Sequence, residues 1–91
     1  MTGIENNPDF LGAKVWRDQG QIYFDVRDLP PPDPFVATLK LLDTLEHGTV
    51  IFINDREPVH LFPELDERGW RCDVLENRDN YFRMKITKGN L

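Results

Sequence analysis

The run Leu29-Pro-Pro-Pro-Asp-Pro34 constrains this chain more than any other stretch, because four of its six residues have no backbone N–H. No sheet ladder passes through such a run, and no helix interior tolerates it. A helix can start there, since the N–H groups of a first turn have no intrahelical partner and proline loses nothing in that place. Before the run, Ile22, Phe24 and Val26 alternate with polar or amphipathic residues, as on a strand with one apolar face. After it, Phe35, Leu39, Leu42 and Leu45 recur at helical spacing with Lys40 and Asp43 turned away. Residues 25–35 are therefore a strand-to-helix junction, with Pro32 or Pro34 opening the helix and Asp33 as a cap or first-turn carboxylate.

The rest of the chain is organised around that junction. Residues 49–53 are apolar on both faces and β-branched, as expected of a central strand, and the helix before them makes a right-handed crossover between parallel strands. His47-Gly48 ends this helix, with the imidazole complementing its last carbonyls. Asn54-Asp-Arg-Glu-Pro58 is turn chemistry, and Pro58 suits the first position of a second helix that turns Leu61, Phe62 and Leu65 to the core and stops at Gly69. Pro63 inside that helix costs about 3 kcal/mol unless the helix starts late or opens with an irregular turn. Residues 70–76 and 81–87 alternate around Asn77-Arg-Asp-Asn80 as a closing antiparallel hairpin, with residues 88–91 fraying beyond it. Residues 1–12 read as a loose polar tail from which Phe10 and Leu11 can still dock. Weak alternation around Val15 and the turn residues Asp18-Gln19-Gly20 leave room for an extra N-terminal edge strand.

The expectation is an α+β fold: a two-layer α/β sandwich in the order β-α-β-α-β-β, with a mixed four-stranded sheet and two helices on one face. A length of 91 residues makes residues 13–91 a single domain. With 16 Asp and Glu against 11 Lys and Arg, the chain is a poor sequence-independent binder of nucleic acid, which needs clustered cations. One cysteine forms no internal disulfide, and no apolar run approaches the roughly eighteen residues of a membrane span. The N-terminus carries no signal pattern, so a cytoplasmic protein without a membrane partner is expected.

The pattern Asp-x-Arg-x-Leu-x-x-Pro-x-Pro, formed by Asp25, Arg27, Leu29, Pro32 and Pro34 with Asp33 between the prolines, resembles the TusA-like (SirA-like) sulfur-carrier superfamily. In those carriers a Cys-Pro-x-Pro motif sets a persulfide-forming cysteine at the start of the first helix. Pro31 occupies the cysteine's place here, and the chain's cysteine, Cys72, lies far downstream. With Leu-Pro-Pro-Pro at the junction and a later Arg56-Glu-Pro-Val59, the chain is closer to a branch that is a domain of unknown function. The resemblance runs from about Ile22 to Thr87; it implies the same two-layer architecture, and without the thiol no sulfur transfer is expected.

Candidate ligand residues fall at the two helix starts: Asp25, Arg27 and Asp33 at the first, Asn54, Asp55 and Arg56 at the second. Unpaired N–H groups and the helix dipole at the junction suit an anion. The competing reading is that Asp25 and Arg27 pair with each other and fix the turn. Glu57, His60 and Glu64 have the three- and four-residue spacing of helical metal ligands, yet a metal needs three or four convergent ligands, so a solvated histidine and no metal are expected. Cys72 alternates with Trp70 and Val74 and points inward as an inert hydrophobe. Trp16, Tyr23 and Tyr81 either form a contact surface on the sheet face that a two-layer fold leaves bare or lie beneath the N-terminal segment. No catalytic constellation or cofactor motif stands out. The expectation is a non-catalytic binding or interaction domain with a protein partner; the alternative is small-molecule, anion or metal binding, redox-associated, at the helix-start loops.

Overall fold

A computed structural model describes residues 5–89. In chain order these form β1 (Glu5–Asn7), a 3₁₀ turn (Pro8–Phe10), β2 (Ala13–Asp18), β3 (Gln21–Asp25), α1 (Asp33–Asp43), β4 (Gly48–Asn54), α2 (Leu61–Glu67), β5 (Arg71–Arg78) and β6 (Tyr81–Lys88). The strands make one mixed sheet in the order β1-β2-β3-β4-β6-β5, in which only the β3–β4 pair is parallel. The β-branched run of β4 lies inside the sheet, and both of its faces are buried.

The expected four-stranded sheet is corrected to six strands: β2 is the extra N-terminal strand for which the sequence left room, and β1, from the expected tail, takes the edge beyond it. Ala13 and Val15 face the core while Lys14 and Trp16 turn away, so β2 pairs in antiparallel register with β3. β2 then presents an unpaired edge, and β1 takes it through backbone hydrogen bonds that need no apolar side chains. The expected loose tail is thus corrected over residues 5–12; residues 1–4 of it lie outside the described residues. Phe10, in the 3₁₀ turn, docks edge-on against Phe24 at 5.8 Å, while Leu11 stays exposed.

The proline junction opens α1 as its chemistry demands. Pro32 is the N-cap residue, Asp33 and Pro34 follow in the first turn, and no side chain caps the helix, so Asp33 is a first-turn carboxylate rather than a cap. The buried stripe of α1 is Ala37, Thr38, Leu41 and Leu42, with Phe35, Leu39 and Leu45 flanking it half-buried. The Thr38 hydroxyl is satisfied by the Pro34 carbonyl at 2.7 Å, which lets a polar residue lie in the stripe. The helix stops at Asp43, before the expected His47-Gly48, since Thr44 donates its N–H and hydroxyl to the Leu41 carbonyl. His47 is therefore beyond the helix and caps nothing.

Pro63 proves harmless because α2 starts late, at Leu61. Pro63 is the third helical residue, where its missing N–H would have had no partner. Pro58 instead accepts a turn hydrogen bond from the Leu61 N–H. At the far end Gly69 takes φ +83°, Trp70 N–H bonds to the Leu65 carbonyl and Gly69 N–H to the Asp66 carbonyl. This is a Schellman ending, and its Leu65 and Trp70 are both buried. The closing hairpin runs two residues further than expected at the end of β5, with Asp79-Asn80 as its turn and a bulge between Val74 and Glu76. Lys88 does not fray: it ends β6, with its ammonium over the Trp70 ring at 5.1 Å; residues 90–91 lie outside the described residues.

Both helices cover the same side of the sheet. Ile22, Phe24, Val50, Phe52, Phe82, Met84 and Ile86 pack there against Ala37, Leu41, Leu42, Leu61 and Leu65. Alternation sends Trp16, Tyr23, Asp25, Ile51, Ile53, Arg83 and Lys85 to the other side, which no helix covers.

Candidate functional site

The parallel strands β3 and β4 end side by side, and each is followed by a loop leading into a helix. The loops begin together, tied by the bond from Val26 N–H to the Ile53 carbonyl at 3.0 Å, and then separate. Between them opens a cavity of about 600 Å³. Leu29, Pro31, Pro32, Pro34 and Phe35 form one wall, residues 54–61 the other, and Phe52 reaches it from the sheet. Its surface is mostly apolar, with Val59 at the rim 59% exposed. A mostly apolar concavity with a few polar groups is what a small-molecule site looks like.

The polar groups of the second loop are largely committed. Asn54 is buried and donates its side-chain amide to the Arg56 carbonyl at 3.1 Å, which folds the loop back on itself. Arg56 pairs with Asp55 at 3.1 Å, and both are well exposed. Val59 N–H bonds the Glu57 carbonyl. Of the expected ligand residues, Asn54, Asp55 and Arg56 line this cavity; Asp25, Arg27 and Asp33 do not.

At the junction the expectation of unpaired N–H groups is corrected. Asp33 N–H bonds the Pro30 carbonyl at 2.8 Å, Phe35 N–H bonds the Pro32 carbonyl at 3.1 Å, and Pro34 has no N–H. The first turn of α1 therefore offers no spare donor to an anion, whatever its dipole contributes.

Asp25 and Arg27 pair with each other. The guanidinium forks onto the carboxylate through Nε (3.0 Å) and Nη2 (2.7 Å), and the Arg27 backbone N–H adds a third bond at 3.0 Å. Burial pushes the Asp25 carboxyl up, but the Arg27 side chain, its N–H and the charges of Arg27 and Lys14 outweigh this and hold it below the ordinary carboxylate value. Arg27 then lies over the Tyr81 ring at 5.6 Å, with Arg78 also over that ring at 5.1 Å, on the uncovered side of the sheet.

The spacing of Glu57, His60 and Glu64 does not become a constellation. Glu57 accepts from Asn77 at 3.4 Å, Glu64 binds Arg68 at 2.7 Å, and His60 lines the cavity at the start of α2. No three His, Cys, Asp or Glu side chains among the described residues are placed to hold a metal ion. Cys72 is half-buried against the core, where burial first, and then the charges of Asp73 and Asp66, push its thiol pKa up.

Sequence reasoning named the two helix-start loops as a place for small-molecule binding but not their apolar wall. Phe35 and Phe52 read as apolar positions of a helix and a strand, and Leu29 and Val59 entered only through the family resemblance; the signal was an apolar residue flanked by turn residues in each of two loops.

No curated protein and no solved structure matches the chain. A family model for an uncharacterized conserved protein, DUF2249, matches residues 23–88. That span starts in β3 and ends with β6, so it holds the parallel pair, both helices and both cavity walls, and leaves out β1 and β2. The chain belongs to the DUF2249 family of uncharacterized conserved proteins.

Proposed function

We propose that the chain is a non-catalytic binding domain whose ligand is a small, mainly apolar, uncharged molecule held between the two helix-start loops. The cavity of about 600 Å³ carries this reading. Its apolar walls favour an apolar body, and the engaged states of Asn54, Arg56 and the α1 donors leave little to attract a bare anion.

The sulfur-carrier relationship is part of this proposal. Pro31, which stands in the place of the carriers' cysteine, lines the cavity, so the position of a former reactive group coincides with the ligand site. Cys72 is no substitute: its raised pKa disfavours thiolate, so sulfur transfer is not part of the reading. No helix of the described residues is long and apolar enough to cross a membrane, and we place the domain in the cytoplasm on its single unpaired cysteine. A protein partner remains the second reading, favoured by the uncovered sheet face.

Amide NMR titrations with cyclohexanol, phenol and benzoate test the cavity. The expected result is saturable shifts on the amides of residues 54–57, 59–61 and Phe35, with the neutral probes at least as effective as benzoate. Silence at those amides with all three probes overturns the proposal, and a response to benzoate alone replaces it with an anion site.

A further inference from the structure

The side of the sheet away from the helices carries a pattern that the cavity does not use. Across the strands stand Trp16, Tyr23, Ile51, Lys85 and Asp73, each the direct neighbour of the next. The adjacent row is Lys14, Asp25, Ile53, Arg83 and Glu76. Trp16 and Tyr23 stack at 5.3 Å with planes 10° apart, so the centre is an aromatic and aliphatic floor. Among the described residues of the N-terminal segment, β1 and β2 extend the sheet sideways rather than lying across this face.

Charge on this face is a mosaic on a chain whose formal charge is -5, and Asp73, the cross-strand neighbour of Lys85, has no ion-pair partner among the described residues. Asp25 is held by Arg27, and Glu76 is shared between Arg78 and Arg83. Lys85 has no ion-pair partner among the described residues. Arg83 reaches Glu76 only through Nη2 at 3.4 Å, and its Nε is buried without an acceptor. That guanidinium has a buried donor to spare, and a carboxylate that draws it outward exchanges a weak shared contact for a fork. Arg83 and Lys85 are alternate residues of β6, roughly 7 Å apart on one side of the strand. An extended peptide presents its own alternate side chains at the same spacing.

We propose that the open sheet face is a docking surface for an extended acidic segment of a partner protein, whose alternate carboxylates take up Arg83 and Lys85 while its apolar side chains cover Ile51 and the Trp16–Tyr23 stack. A nucleic acid fits less well, because Asp25, Asp73 and Glu76 interrupt the cations and the net charge repels a phosphate chain. A protein segment can match such a mosaic.

The chain's two tryptophans report opposite sides, since Trp70 is buried on the helix side and Trp16 lies on the open face. The probe is a capped synthetic peptide in which two alternate glutamates are followed by two alternate leucines, with serines between. Expected are saturable NMR shifts of the Trp16 indole and the Arg83 and Lys85 amides with the Trp70 indole unmoved, binding that weakens with salt, and a loss of about tenfold or more in Lys85→Glu. Lys85→Gln, which is milder toward the sheet, is expected to weaken binding less. A still Trp16 overturns the proposal, as do unchanged affinities in both variants with Trp70 unmoved. Tighter binding of oligothymidylate at the same signals makes the face a nucleic-acid surface instead, and Trp16 shifts on changing protein concentration alone make it a self-association surface.

Discussion

β4 buries both of its sides, and the two burials are of different kinds. Phe52, 1% exposed, faces a layer of helix side chains fixed by their own backbones. Ile51, 5% exposed, faces the open side, where its strand neighbours are Tyr23 and Lys85. Residues there are shielded by side chains lying along the sheet, and the stems of Lys and Arg cover apolar surface while their charges stay in water. The same fractional exposure thus describes a packed interior in one place and a movable cover in the other. Only the movable cover can yield to a partner without unfolding the domain.

The largest expected effect separates these two kinds of burial with one substitution made twice. Ile86→Ala empties a site wholly enclosed between sheet and helices, and about 3–4 kcal/mol of stability should be lost because the surroundings cannot close in. Ile51→Ala removes the same atoms beneath side chains that can settle, and about 1.5–2 kcal/mol is expected. Urea unfolding monitored by circular dichroism gives both values. Equal losses break the comparison and mean that the open face is packed as firmly as the core.

How far this arrangement could be read from sequence follows from which interactions are local. The junction, the parallel pair, both helices and the closing hairpin were legible because proline, alternation and apolar spacing act within a few residues. Even the α1 stripe was only half legible: the large residues Phe35 and Leu39 read as part of it, but the small Ala37 and the self-satisfied Thr38 are the fully buried ones. β1 left no trace, since the polar run Glu5–Asn7 has no alternation to show that its backbone pairs with β2. The spare donors expected at the first helix start were absent because the carbonyls of Pro30 and Pro32 take them, a contact that requires the folded turn. The cavity needs two loops some twenty residues apart to face each other, and the row from Trp16 to Asp73 needs five strands in register; neither is a property of any window of sequence.

The next prediction compares the charges that the two sides hold. Asp25, 7% exposed, is the buried carboxylate of the open side. Its folded pKa lies below the ordinary value of about 3.9, so its ionisation stabilises the fold above about pH 4. That contribution is lost as pH falls through the lowered folded value. Asp25→Asn should cost about 1–2 kcal/mol at neutral pH, held to that size because Arg27 is 45% exposed and water screens it. It should also flatten the acid side of a stability–pH curve. A variant whose acid limb is as steep as the original would assign that loss to other carboxylates.

The smallest effect belongs to the ion pairs on the helix side. Arg68 follows α2 and donates from Nε to Asp43 at the end of α1 at 3.0 Å and from Nη1 to Glu64 at 2.7 Å, so it ties the two helices together. Geometry alone would rank it beside the Asp25–Arg27 fork. The difference is solvent: both of its carboxylates are substantially exposed, at 56% and 38%, so either one hydrates readily when the arginine is gone. Arg68→Met keeps most of the apolar stem and removes the charge, and only about 0.5 kcal/mol should be lost in low salt. The gap should close further as salt screens the exposed charges in the original protein, whereas the Asp25→Asn deficit should persist because its carboxylate is out of the solvent. Unfolding both variants at low and high sodium chloride decides the matter: a salt-insensitive loss above about 1 kcal/mol in Arg68→Met would mean that the helix layer depends on this link, and that the firmness of the covered side comes from charge as well as from packing.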